Sequence, residues 1–148
     1  MKIFFDVDHT ILGLDGSLRT GTKETLQKLN HDKHQVYIWS GIGERWEVIE
    51  THQFSPWVSG VYEKPTHHFH ERLRELRVPF EPAFVIDDHP EVVTAFGGVW
   101  VSPYFFKRKT DWEMDRVYDI VCDFATTGTS DDWQYWAKGS KVIYSPPH

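Results

Sequence analysis

A chain of 148 residues fits one domain of ordinary size. With 40% apolar and 26% charged residues it can build a packed core, which excludes a disordered chain. A formal net charge of -6 at pH 7 argues against a broad electrostatic grip on nucleic acid, leaving only a local basic patch for such contacts.

One cysteine, Cys122, rules out an intrachain disulfide. The opening MKIFFDVDHT does not read as a signal peptide, and no apolar run reaches the ~18 residues of a membrane span. The expectation is a cytoplasmic protein without membrane attachment. The 7 Trp, 10 Phe and 6 Tyr are read chiefly as core-filling rings.

Lys2–Phe5 is a short apolar run ending in acids, as a buried strand does. Residues 22–31 predict a helix, with Leu26 and Leu29 on one face and Thr22 as its N-cap. Val36–Trp39 is the next strand, closed by the turn pair Ser40-Gly41. Residues 43–53 predict a second helix, with Trp46, Ile49 and Glu50 at helical spacing. Trp57–Tyr62 is a weaker strand. Pro65-Thr66 opens a helix through Arg77, with Phe69, Leu73 and Leu76 on one stripe. Ala83–Ile86 is a third strand ending in acids, Pro90 starts a helix to about Phe96, and Val99–Val101 is a last short strand.

Strands alternating with helices imply an α/β fold, with a parallel sheet covered by helices on both faces in three Rossmann-like layers. The core is residues 1–101. Residues 102–148 are read as a helical and aromatic appendage to the same domain, with a helix over 111–125 that packs through Trp112, Val117, Val121 and Phe124. Ligands in such sheets bind beyond the carboxyl ends of the strands. The residues to watch are therefore Asp6 and Asp8, Ser40, Lys64, and Asp87 with Asp88.

Four acids at one sheet edge repel one another unless a cation sits among them. Carboxylate oxygens suit a hard ion, and Mg2+ is the usual one where phosphates react. The Lys64 ammonium neutralises phosphate as a point charge, while the Ser40 hydroxyl and a backbone N–H near Gly41 donate to phosphoryl oxygens. Together they form equipment for covalent phosphoryl transfer.

The order Asp6-x-Asp8-x-Thr10, then Ser40, then Lys64, then Asp87-Asp88 resembles the haloacid dehalogenase superfamily of phosphohydrolases. The likeness runs from residue 2 to about 101. It implies a phosphatase with Mg2+ as cofactor. Asp6 would be the nucleophile that becomes an aspartyl-phosphate, and Asp8 the acid and then the base. Thr10 would steady the loop, and Ser40, Gly41 and Lys64 would hold the phosphoryl group. The metal set would be Asp6, the main-chain carbonyl of Asp8, Asp87, and Asp88 directly or through water.

The family commonly inserts a cap domain after its first motif or between its second and third. Here Ile11–Gly21 is 11 residues and 23 residues separate Ser40 from Lys64, so a capless member with an open site is expected. The stretch Ile86–Val101 also resembles the phosphatase domain of polynucleotide kinase-phosphatases, which implies a nucleotide or nucleic-acid end phosphate among the candidate substrates. A bacterial receiver domain uses similar residues, but in another order.

Other readings stay open. A catalytically silent Mg2+-binding module for partner recognition keeps the same acids, and a phosphotransferase passes the phosphoryl group to an alcohol. Small-molecule and macromolecular substrates, and a homo-oligomer, are all compatible with the sequence. His67, His68 and His70 lack partners at zinc-site spacing and are read as an exposed helix start near the substrate. His9 and His89 flank the acids as tuning residues. Lys107-Arg108-Lys109 is a solvated turn or a polyanion contact, and Trp133, Tyr135 and Trp136 either pack or stack on bases.

Overall fold

The computed structural model describes residues 1–127, 135–138 and 141–144. It is an α/β fold in which six mutually parallel strands are joined by one antiparallel edge strand. In chain order the elements are β1 (Lys2–Asp6), α1 (Thr22–His31), β2 (Gln35–Ser40), α2 (Trp46–His52), β3 (Gly60–Glu63) and α3 (Phe69–Glu75). There follow β4 (Phe84–Asp87), α4 (Pro90–Phe96), β5 (Gly98–Trp100), α5 (Glu113–Thr127), β6 (Tyr135–Lys138) and β7 (Lys141–Tyr144). The sheet order is β3-β2-β1-β4-β5-β7-β6.

The two-residue strand period sorts the core into two layers. Ile3, Phe5, Val36, Ile38, Phe84, Ile86 and Val99 point to one face, where α1, α2 and α5 cover them through residues such as Leu26, Leu29, Ile49, Val117 and Val121. Phe4, Tyr37, Trp39 and Val85 point to the other, against Leu73 of α3 and Val92, Val93 and Phe96 of α4. The expected three-layer arrangement therefore holds. Strands β1, β2 and β4 carry apolar residues on both faces, as strands covered on both sides must.

Several element bounds differ from the sequence reading. Thr22 is not the N-cap of α1. Gly21 occupies that position at φ 85, and Thr22 is buried in the first turn. Helix α2 starts only at Trp46, because Gly43 at φ 123 still belongs to the turn after β2. Its buried side is Val48 and Ile49, while Trp46 faces solvent. Helix α3 starts at Phe69 because His68 takes a left-handed conformation, φ 44, which breaks any helix begun at Pro65. Trp112 precedes α5 and is exposed. The C-terminal stretch does more than pack on the core: β7 extends the parallel sheet beside β5, and β6 turns back antiparallel to it. Trp133 lies outside the described residues, as do the side chains of Tyr135 and Trp136.

Gly98 is required by close approach. An added Cβ would lie 1.9 Å from the Val85 carbonyl oxygen, so β4 and β5 can pair here only over a glycine. Between β1 and α1 the chain makes a small turn, Leu12 bridging Leu18, and between Ser40 and Lys64 it makes only α2 and β3. No further domain stands at either place. Among the described residues no helix is long and apolar enough to cross a membrane.

Candidate active site

The chain passes from β1 outward through β2 to β3, then crosses back to lay β4 on the other side of β1. The β1/β4 boundary is thus the point where strand order reverses, and a crevice opens there beyond the carboxyl ends. Asp6 ends β1, Asp87 ends β4 and Ser40 ends β2, while Lys64 directly follows β3. All four side chains are buried, Asp87 completely and Asp6 to 4% exposure.

Lys64 comes from the outermost parallel strand on its side, and its long side chain reaches across the end of β2. Its Nζ donates to Asp6 Oδ1 at 2.9 Å and to Asp87 Oδ2 at 3.0 Å. One ammonium thereby joins two carboxylates that arrive from different halves of the sheet. Its own main-chain N–H donates to the Ser40 carbonyl at 2.8 Å, fixing the turn from which the side chain springs.

The turn after β1 is wound tightly. The N–H groups of Thr10, Ile11 and Leu12 all converge on the Val7 carbonyl, and His9 sits at φ 65. This places the Thr10 hydroxyl between two acids, where its single proton serves Asp6 Oδ2 at 3.1 Å or Asp88 Oδ1 at 3.3 Å. The same oxygen accepts the Asp88 N–H at 3.2 Å. Thr10 thus laces the first turn to the one after β4.

Asp6, Asp87, Asp88 and His89 bring one ligand atom each within 4.8 Å of one another. This cluster could hold a metal. Three of its four donors are carboxylates, a set suited to a hard divalent cation. His89 was expected to flank the acids as a tuning residue. Its main-chain N–H donates to Asp87 Oδ1 at 2.9 Å, and its ring Nδ1 lies 3.3 Å from both Asp87 Oδ1 and Asp88 Oδ1. The Asp8 side chain is not in the cluster. Its carboxylate points to Arg45, whose Nη1 donates to Asp8 Oδ2 at 2.7 Å while Nε pairs with Glu47.

Electrostatics follow from this packing. Burial pushes Asp6 up to about 6, with the charge and hydrogen bond of Lys64 opposing that rise. Burial works against the Lys64 ammonium too, but the Asp87 and Asp6 charges outweigh it and hold its pKa above the ordinary lysine value. The hydrogen bond to Asp87 raises His89 to about 9 against a partial desolvation, with the Asp88 and Asp87 charges helping. At pH 7 the Lys64 and His89 side chains therefore stand as cations among the acids of the rim.

The crevice opens into a pocket of about 700 Å³ whose walls include Asp6, Asp8, Ser40, Gly41, Lys64, His67 and His68. Gly41 passes so close to the next loop that a Cβ would sit 2.9 Å from Thr66 Cγ2. The histidine cluster divides: His67 and His68 face the pocket, whereas His70 turns away to the Ala95 carbonyl and Glu81. Lys107, Arg108 and Lys109 are exposed and none lines the pocket.

Two contributors escaped the sequence reading. Arg45 lies just before α2, in a stretch that reads as helix surface. Arg19 is fully buried, donates to the Thr10 and Ser102 carbonyls and pairs with Asp111 at 2.9 Å, so it anchors the first turn from below. The chain matches no family model, no curated protein and no solved structure.

Proposed function

We propose that the chain is a Mg2+-dependent phosphomonoesterase of the haloacid dehalogenase type, working through an aspartyl-phosphate on Asp6. The observation that carries this reading is the Lys64 ammonium held between Asp6 and Asp87 at the switch point. That arrangement keeps a buried carboxylate ionised beside a positive charge suited to a phosphoryl oxygen. The strand order and the four motif positions converging on one crevice support it.

Asp6, Asp87 and Asp88 would hold Mg2+, which supplies charge neutralisation for the phosphoryl oxygens when bound. The rest falls to the chain. A carboxylate oxygen of Asp6 attacks phosphorus, the Asp6–phosphorus bond forms and the ester bond breaks. Asp8, on the pocket wall, enters this step protonated on Oδ1, the oxygen that Arg45 does not hold, and gives the leaving oxygen that proton. The same carboxylate then takes a proton from water as that water attacks phosphorus, releasing inorganic phosphate and restoring Asp6. Lys64 and Ser40 hold the phosphoryl oxygens throughout. Arg45 holds Asp8 in its place on the wall.

The test is hydrolysis of 4-nitrophenyl phosphate with and without Mg2+. Turnover should require the ion and fall by about 10³-fold or more in Asp6→Asn. Activity that survives this substitution removes Asp6 from its role, and no turnover in a broad phosphate-ester screen favours a silent binding module.

A further inference from the structure

Beyond the acidic rim, the pocket wall changes character. Ile42, Phe69 and Val92 line it, coming from the turn after β2, the start of α3 and the first turn of α4. Ile42 stands next to the phosphate-binding Ser40-Gly41 pair and is 77% exposed, an apolar side chain offered to solvent at the mouth of a polar site. The charges on the wall run the other way. Among the described residues lining it, Lys64 is the one lysine or arginine, and its ammonium is already shared between Asp6 and Asp87. Asp8 and Glu91 add carboxylates. Arg45, behind Asp8, is engaged by Asp8 and Glu47.

A polyanion needs a track of cations for its successive phosphates, and the two cations of this wall, Lys64 and His89, are both taken up by the acids of the rim, Lys64 by Asp6 and Asp87 and His89 by Asp87 and Asp88. A second phosphate on the substrate would meet the Asp8 or Glu91 carboxylate, with no lysine or arginine of the wall besides Lys64 to offset it. The volume, about 700 Å³, lies within the range of small-molecule sites lined by apolar groups with a few polar anchors.

We propose that the pocket takes a small phosphomonoester with one phosphate and a compact, uncharged aromatic or apolar leaving group, and that Ile42 and Phe69 select that group. The phosphate is anchored on the Lys64 rim, and the apolar portion covers Ile42 and lies against Phe69 and Val92. The inference rests on the phosphatase reading for its turnover readout, and on the pocket wall alone for its binding readout.

Three esters with similarly unactivated alkyl leaving groups test it on the whole chain with Mg2+: 2-phenylethyl phosphate, glycerol 1-phosphate and a 5′-phosphorylated oligothymidylate. The expected order of kcat/KM puts 2-phenylethyl phosphate at least about tenfold ahead of both others, one extra ring in an apolar pocket being worth this much. Ile42→Asp, on an exposed side chain, should cut the phenylethyl-to-glycerol ratio about tenfold. Phe69→Ala should shift the ratio the same way. A preference for the oligonucleotide or the glycerol ester, or a ratio untouched by Ile42→Asp, overturns the proposal. Calorimetric binding of 2-phenylethylphosphonate against ethylphosphonate reads the pocket without turnover. Preferential binding of the phenylethyl compound with no hydrolysis of any ester sinks the phosphatase reading and leaves the pocket assignment standing. Equal binding of the two phosphonates sinks the pocket assignment whether or not turnover occurs.

Discussion

Lys64→Met keeps a side chain of similar length and deletes the charge on which the rim depends. Nζ lies 2.9 Å from Asp6 and 3.0 Å from Asp87, and all three side chains are nearly or fully buried. Removing one partner from a buried ion pair costs about 3–5 kcal/mol, because the remaining charge is left uncompensated. A domain of this size loses about 2–4 °C per kcal/mol, so the melting temperature in metal-free buffer at pH 8 should fall by about 6–20 °C.

The pH dependence has a definite sign. Lys64 is held above its ordinary value of 10.5, so its contribution is complete anywhere between pH 5.5 and 8. Asp6, already pushed up to about 6, climbs further when the ammonium is gone. Acidification then lets Asp6 take a proton, which relieves the repulsion with Asp87. The deficit of the variant should shrink from pH 8 to pH 5.5, and added Mg2+ should narrow it at pH 8 by replacing the lost cation. Near-UV circular dichroism melts of both proteins in EDTA, at the two pH values, make the measurement. A variant that melts within about 2 °C of the wild type at pH 8, or a deficit that widens on acidification, refutes the reasoning.

Other expectations follow from the same geometry. Arg45→Met should lower kcat about tenfold, or ~1.4 kcal/mol, with KM little changed, since Arg45 touches Asp8 and does not line the pocket; steady-state kinetics that move KM alone would assign Arg45 to substrate instead. His89 is raised to about 9, so in metal-free buffer the folded state keeps a proton that the unfolded chain loses near 6.5. That contribution is whole below pH 6.5 and is lost as pH rises through 9. His89→Gln should therefore flatten the decline of melting temperature across this window, and an unaltered slope would dismiss the pairing with Asp87. Gly98→Ala places a Cβ 1.9 Å from the Val85 oxygen and should cost about 3 kcal/mol or more, read as a lowered urea midpoint. An unshifted midpoint would mean that β4 and β5 can part at that point without penalty.

The sheet and the rim were legible in the sequence for the same reason. A buried parallel strand is written as an apolar run, and the residue after it lies at the ligand-binding edge. Asp6, Ser40 and Asp87 needed nothing more. Lys64 was harder, because β3 is short and its face half-buried, yet its position one residue past Glu63 puts it at the same edge. Helix starts were less legible. The turn chemistry that delays α2 and α3 lies in Gly43 and in a left-handed His68, and only the second contradicts ordinary residue preference. Arg45 and Arg19 were invisible because their partners, Asp8 and Asp111, are 37 and 92 residues away along the chain, and no local pattern marks such pairs. Strand β7 was missed because it follows β6 and lies far in sequence from β5, whose register it completes.

The route by which Lys64 arrives also bears on how this protein can fail. The lysine is delivered by β3, an edge strand of the sheet paired on one side only, whereas Asp6 and Asp87 sit on interior strands. A fraying of that border, local and short of global unfolding, would withdraw the ammonium and leave the two central acids facing each other. For the proposed phosphatase, competence is thus tied to the integrity of a margin of the sheet, and a partly opened molecule should fall silent before it loses its shape.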